Sequence, residues 1–311
     1  VEQFLKHHLS YNLDNGMYGK VVSAHSIQLK RTVAIKIVEK KKVSLAYSQK
    51  FLSRETKILR ILKHPTFTVI TIYVFMVMEL CINGDLSKHI NVRGPLPGHL
   101  SCRFFSQLCM AVEYLHNNDL AKAEQRINVK NLLLDKYNNI KLCDFGFSKM
   151  LTYRDGQMVL SETYCGTSSY AAPEVLRSLP YNPKISDVWS MGVVLNMMLY
   201  ASMPYDSTNI RKMIDIQMQH NISFPNTPSV SSEAKDLIRS ILNPDIEQRI
   251  TISDILNNPW MLQEGIMEDG DETSGSRVGF LRRGLITATL KDCGTYPDNK
   301  DRLIISNKDD Y

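Results

Sequence analysis

The sequence predicts an α+β fold, with a small strand-rich lobe followed by a larger helical lobe. Three observations carry that expectation. Residues 9–43 hold β-branched runs of strand length, and residues 45–62 switch to helical spacing. Beyond Asn83-Gly84, helical patterns dominate until about Leu262. At 311 residues, with 43% hydrophobic and 22% charged, the chain has ample material for a sizeable core.

Taken in order, "GKVVSAHS" and "TVAIKIVEK" read as two strands joined by a polar turn. Phe51, Leu52, Ile58, Leu59 and Leu62 make the apolar stripe of a helix that His64-Pro65 stops. "VITIYVFMVMEL" is a long β-type run, broken by Asn83-Gly84. Phe104, Leu108, Val112 and Leu115 fall on one helix face, and residues 189–199 are apolar all round, as a buried helix is. Thr251 and Asp254 match a capping box before Ile255-Leu256, and Pro259 is expected to end that helix. "EDGDETSGSR" and "GTYPDNKDR" are polar, Gly-rich and aperiodic, so the tail is expected to be disordered or loosely attached.

The net charge of +5 divides unevenly: seven basic and ten acidic residues from Leu262 onward leave −3 there and +8 before it. A mild basic excess suits an anionic ligand. No basic stretch is interleaved with aromatics, so no nucleic-acid partner is expected. The lysines at 40–42 read as a solvated loop. No apolar run approaches the roughly 20 residues of a membrane span, so no membrane role is expected. Cys81, Cys102, Cys109, Cys143, Cys165 and Cys293 form no C-x-x-C pair. Free thiols in a reducing, cytoplasmic setting are the expectation.

Gly16 and Gly19 in "DNGMYGKVV" lie between two strands. Backbone N–H groups approach phosphate oxygens best where no Cβ intervenes, although two such glycines alone signal only a turn. Lys36 in the apolar strand "VAIK" changes their weight, because Glu55 in "SRETKIL" supplies a partner that could hold its ammonium on nucleotide phosphates. Asn131 in "NLLLD" and Asp144 in "IKLCDFGFSK" offer oxygens across a hairpin whose turn is "KYNN". Hard oxygen ligands of this kind suit Mg²⁺ bound jointly with phosphates. Ala172-Pro173-Glu174, Asp187, Trp189, Gly192 and Arg249 complete a constellation that fits one fold.

With these motifs in place, the chain resembles the eukaryotic protein kinases over residues 4–261. Its wording is similar to the testis-specific serine/threonine kinases in "KFLSRE", "NIKLCDFGFSK", "CGTSSY", "YAAPEVL", "PYNPK" and "SMPYDSTNI". The resemblance implies a two-lobed protein kinase fold with a shortened β-rich N-lobe (4–80), a helical C-lobe (81–261) and a polar tail (262–311). It implies Mg²⁺ and ATP as cofactors, with Gly16, Gly19, Val21, Ala34, Lys36, Glu55, Met78, Glu79, Cys81, Asp85, Leu133 and Cys143 around the nucleotide. Asn131 and Asp144 would hold Mg²⁺, and Lys36 and Asp144 would serve catalysis. Thr163 matches the regulatory activation-loop threonine, Thr167 the substrate-facing threonine, and Glu174 with Arg249 a buried ion pair. Protein substrates and docking partners, chaperones among them, follow by analogy.

The chain also departs from the family pattern. H-R-D-L-K-x-x-N places an Asp that accepts the substrate hydroxyl proton and a Lys that steadies the γ-phosphate. Anchored on Asn131, "AKAEQRINVKN" puts Arg126 at the base position, and a guanidinium accepts no proton at working pH. Anchored on His116, the loop carries about two extra residues, with Glu124 as candidate base and Arg126 at the Lys position. In neither register does an Arg precede the base. Asp14 stands at the first phosphate-loop glycine, the segment before it is shortened, and roughly seven residues are missing between His64 and Val77. The expected function is therefore a serine/threonine protein kinase-family domain with weak γ-phosphoryl transfer to protein Ser or Thr. The alternative is a pseudokinase scaffold, and a third reading is a decayed gene copy.

Overall fold

The computed structural model describes residues 7–16, 19–27, 30–39, 67–69, 73–122, 126–145, 148–163 and 167–266. Described residues through Gly265 belong to one compact unit. The helix expected at 45–62 and the tail from 267 on lie outside the described residues.

β1 (His7–Gly16), β2 (Gly19–Ser26), β3 (Arg31–Glu39), β4 (Phe67–Val69) and β5 (Tyr73–Glu79) form one antiparallel sheet, in the order β1-β2-β3-β5-β4. Alternation along the strands sorts the side chains. Val22, Ala24, Val33, Ile35, Ile37 and Val77 pack together as the sheet's buried core. Where the sequence reads as one long β-type run, the structure has two strands, β4 of three residues and β5, with Phe67, Thr68 and Val69 facing Met76, Phe75 and Val74. β1 runs ten residues and pairs with β2 through two irregularities, between Leu9 and Asn12 and between Asn12 and Asp14.

The chain then turns helical at Gly84, whose φ of +74° suits a residue without a Cβ. α1 (Leu86–Arg93) starts at the N-cap Asp85, whose Oδ1 accepts from Lys88 N at 2.8 Å. α2 (Gly98–Asn117) buries Phe104, Leu108, Val112 and Leu115, the face that the spacing predicts. Short strands follow: β6 (Leu120–Ala121), β7 (Leu132–Leu134), β8 (Ile140–Leu142), β9 (Lys149–Met150), β10 (Tyr153–Arg154) and β11 (Gln157–Met158). The remaining helices are α3 (Pro173–Leu176), α4 (Pro183–Tyr200), α5 (Ile210–Met218), α6 (Ser232–Ile241), α7 (Ile252–Leu256) and α8 (Pro259–Ile266).

α4 is the buried axis of this larger part. Ser186, Asp187 and Trp189 are among its buried residues, and a Cβ on Gly192 would lie 2.6 Å from Ile241 Cγ2. That close approach is why glycine stands there. Thr251 caps α7 as its pattern predicts, accepting from Asp254 N at 3.2 Å and donating to Asp254 Oδ2 at 2.7 Å. The helix stops at Leu256, and Pro259 opens α8 rather than ending α7. A proline without an N–H fits a first-turn position, where that group has no intrahelical partner. No helix among the described residues is long and apolar enough to cross a membrane.

Candidate active site

One face of the sheet is assembled by register. Val21 pairs with Lys36 and Lys36 with Met76, while Ser23 pairs with Ala34 and Ala34 with Met78. Directly paired residues share a face, so Val21, Ala34, Lys36 and Met78 lie together, opposite the Ile35–Val77 core. Lys36, Val21 and Met78 are half-buried, as residues lining a cleft are. Gly16 and Gly19 face each other at the β1–β2 end. Glu55 lies outside the described residues.

After β5 the strand crosses to the helical part. Glu79 is exposed and meets Lys141 Nζ at 3.0 Å. Asn83 N donates to Leu134 O at 3.2 Å and Leu134 N to Gly84 O at 2.8 Å, while Asp85 and Leu133 bridge directly. These bonds hold the half-buried Asp85 beside the half-buried Leu133, with Cys81, also half-buried, two residues after the end of β5. Cys81 and Cys143 are free thiols. Burial first, then the charge of Glu79, pushes the Cys81 thiol up to about 12.

β7 and β8 form the expected hairpin, with Leu132, Leu133 and Leu134 facing Leu142, Lys141 and Ile140. Asp135 holds its turn, accepting from Tyr137 N and Asn139 N, each at 2.8 Å, and from Asn139 Nδ2 at 3.2 Å. Burial raises the Asp135 pKa, but these N–H groups outweigh it and hold the carboxyl below its usual value. At the open end, Cys143 N donates to Asn131 O at 2.9 Å, which sets Asn131 opposite Cys143, one residue before Asp144. Asn128 caps the 3-10 turn Val129–Asn131, accepting from Lys130 N at 3.0 Å and Asn131 N at 3.2 Å. Asn131 Nδ2 is buried with no hydrogen-bond partner among the described residues, and Asp144 takes a φ of +59°. The amide oxygen of Asn131 and the carboxylate of Asp144 are oxygen donors of the kind that a hard cation shared with phosphate oxygens takes.

Charges from both parts of the fold bear on the Cys143 thiol. Burial pushes it up to about 11; Lys122 and Lys36 pull it down, while Asp144 and Asp85 push it up. Lys36 from the sheet and Asp144 from the hairpin therefore act on one sulfur.

The loop between β6 and Asn131 is anchored at both ends. On the His116 side, Asp187 Oδ2 lies 3.0 Å from His116 Nε2 and accepts from Lys122 N at 2.9 Å. Lys122 is fully buried; its Nζ donates to Cys143 O at 2.9 Å and to Asp144 O, and sits 4.6 Å from the Phe145 ring centroid. On the Asn131 side, Arg126 is buried, and its Nη1 donates to Thr167 O at 2.7 Å. Asn128 Nδ2 donates to Arg126 O at 3.1 Å. Glu124 lies outside the described residues. The sequence reading assigned Lys122 no role, although a lysine inside the apolar run "DLAKA" was the available signal.

Thr163 is half-buried, 3.0 Å from Ser161 Oγ, which accepts from Lys149 Nζ at 3.0 Å. Tyr181 OH donates to Thr163 O at 2.9 Å. The ion pair expected of Glu174 and Arg249 is present and bidentate, at 2.7 and 3.0 Å, with Arg249 stacked 5.0 Å from the Trp189 ring.

The protein kinase domain profile matches residues 8–261. Testis-specific serine/threonine-protein kinase 1 of Mus musculus is 44% identical over 263 residues, covering 81% of this chain and 71% of the relative. Its Homo sapiens counterpart is 45% identical over the same shares. Testis-specific serine/threonine-protein kinase 4 of Homo sapiens is 38% identical over 271 residues, 81% of each chain. A domain-wide match, at this identity and over both lobes, means that the chain belongs to the protein kinase family, among its testis-specific serine/threonine members.

Proposed function

We propose that this chain binds Mg-ATP and transfers the γ-phosphoryl group to protein Ser or Thr only weakly. The observation that supports the reading is the sheet register that puts Lys36 on one face with Val21, Ala34 and Met78, together with the β7–β8 hairpin whose open end carries Asn131 and Asp144. On this reading Val21, Ala34, Met78, Cys81 and Leu133 enclose the base and Asp85 stands near the ribose. Lys36, for which the sequence offers Glu55 as a partner, would orient the phosphates beside Gly16 and Gly19. Asn131 and Asp144 would hold Mg²⁺, which supplies charge neutralisation at the phosphates when bound. Transfer is expected to be weak because Arg126, which bonds Thr167 O, offers no proton acceptor, leaving Glu124 as the candidate base. Loss of a general base typically lowers the rate by ~10²–10⁴-fold while positioning remains.

The experiment is a thermal melt with and without Mg-ATP, followed by a labelling assay on a generic Ser/Thr substrate. Wild type should melt higher with Mg-ATP, through preferential binding to the folded state, and Lys36→Ala should not. Label above the Lys36→Ala background supports transfer, and its loss in Glu124→Gln would make Glu124 the base. A nucleotide shift without label favours a second reading, a pseudokinase scaffold for protein partners such as chaperones in the cytoplasm. The buried Arg126 bond to Thr167 is the observation that favours it.

A further inference from the structure

We propose that Lys122 is a positioning residue, whose buried ammonium pins the backbone at Asp144 so that the carboxylate is presented to the metal. The inference rests on the Mg-ATP reading above and deepens it.

Lysine is almost never fully buried unless its charge is paired, because an ammonium loses its hydration there. Lys122 has no exposed surface, yet leucine or methionine would fill the same volume. Its ammonium is directed at one short segment. Nζ donates to Cys143 O and Asp144 O, the two carbonyls on either side of the Asp144 Cα, and rests on the face of Phe145. In an extended strand, successive carbonyls point in opposite directions; two that converge on one cation require the residue between them to leave the strand conformation. Asp144 does so, with a φ of +59°, a region that a residue with a Cβ enters only under constraint.

The neighbours of Lys122 tie down the far end of that segment. Ala121 pairs with Lys149 and Leu120 with Met150. The backbone of Lys122 is itself fixed, through its N–H, to the buried carboxylate of Asp187 on α4. One three-residue stretch, anchored to the helical core, therefore holds both sides of the segment that carries Asp144. Groups that orient a metal ligand from behind typically change metal affinity by ~10–100-fold when removed.

The test is Lys122→Met in the full chain, read as the ATP-induced rise in melting temperature while free Mg²⁺ is titrated at fixed excess ATP. The variant should need about 10–100-fold more Mg²⁺ to reach half of its shift. A lysine that only packs would lower the melting temperature of the protein alone and leave the Mg²⁺ midpoint where it is. Lys122→Gln, whose amide keeps N–H donors without the charge, is measured alongside in case the first variant does not fold. A midpoint within about twofold of wild type, in whichever variant folds, overturns the proposal. Wild type with no Mg²⁺-dependent ATP shift would instead sink the nucleotide-binding reading itself.

Discussion

Arg126 donates from Nη1 to the carbonyl oxygen of Thr167 at 2.7 Å, from a position where its side chain is buried. The two residues are 41 apart in sequence, so this bond ties the catalytic loop to the segment that precedes α3. It brings a permanent cation to the backbone of Thr167. Lys122, four residues earlier, does the same at Asp144. Among the described residues, the loop carries two buried basic anchors, Lys122 and Arg126.

Arg126→Met keeps the apolar stem and removes the charge-assisted bond. The expected loss is about 1.5–3 kcal/mol of stability, measured by urea unfolding. A variant as stable as wild type would show that solvent replaces the bond at no net change.

Glu174→Ala should be among the most destabilising single changes in the helical part. It strips both carboxylate bonds from a guanidinium with no exposed surface, leaving only the carbonyls of Asn243 and Ile185. Breaking one partner of such a pair typically costs about 3–5 kcal/mol. Arg249→Lys should recover only part of it, because a single ammonium does not span both oxygens. Equilibrium denaturation of the three proteins decides this.

Asp135→Ala removes three bonds from the hairpin turn that aligns Asn131 with Asp144, and is expected to cost about 1–3 kcal/mol. The carboxyl is held below its usual range, so its contribution is present above the unfolded value of about 3.9. It is lost as pH falls through the lower folded value. The stability gap between wild type and Asp135→Asn should therefore narrow in acid, below about pH 4. A gap that is flat from pH 3 to 7 would contradict the assignment.

Cys143 should resist alkylation near neutrality, since a thiol pushed up to about 11 is almost wholly protonated there. Labelling by iodoacetamide should climb through pH 10 and 11, and much earlier in unfolded protein. The raised value also sets a sign: its contribution to stability is full below the unfolded thiol's ~8.5 and is lost as pH rises through about 11. The difference in Tm between wild type and Cys143→Ala should shift accordingly between pH 8 and 11. Rapid labelling of folded protein at pH 8 would place the thiol in a different environment.

Much of the fold was legible because it repeats a local period. Strand-length β-branched runs marked β2 and β3, and the 3.6-residue period placed Phe104, Leu108, Val112 and Leu115 on one helix face, which the structure buries. The face shared by Val21, Ala34, Lys36 and Met78 came only with the strand register. The Thr251 cap and the "KYNN" hairpin were legible for the same reason, each being closed within a few residues. Pro259 was misread because proline marks a helix start as readily as a stop, and only its neighbours in space decide between them.

By itself, the sequence determined the two-lobed α+β order, the strand that carries Lys36 and the hairpin that carries Asn131 and Asp144. All of these follow from backbone periodicity and turn chemistry, which act over short stretches of chain. Tertiary structure alone decided what the altered loop does. Lys122 meets carbonyls 21 and 22 residues away, and Arg126 meets one 41 residues away. Local pattern holds no information about such partners. A buried cation takes whichever acceptors the folded core brings to it, because leaving the charge unpaired there is too costly.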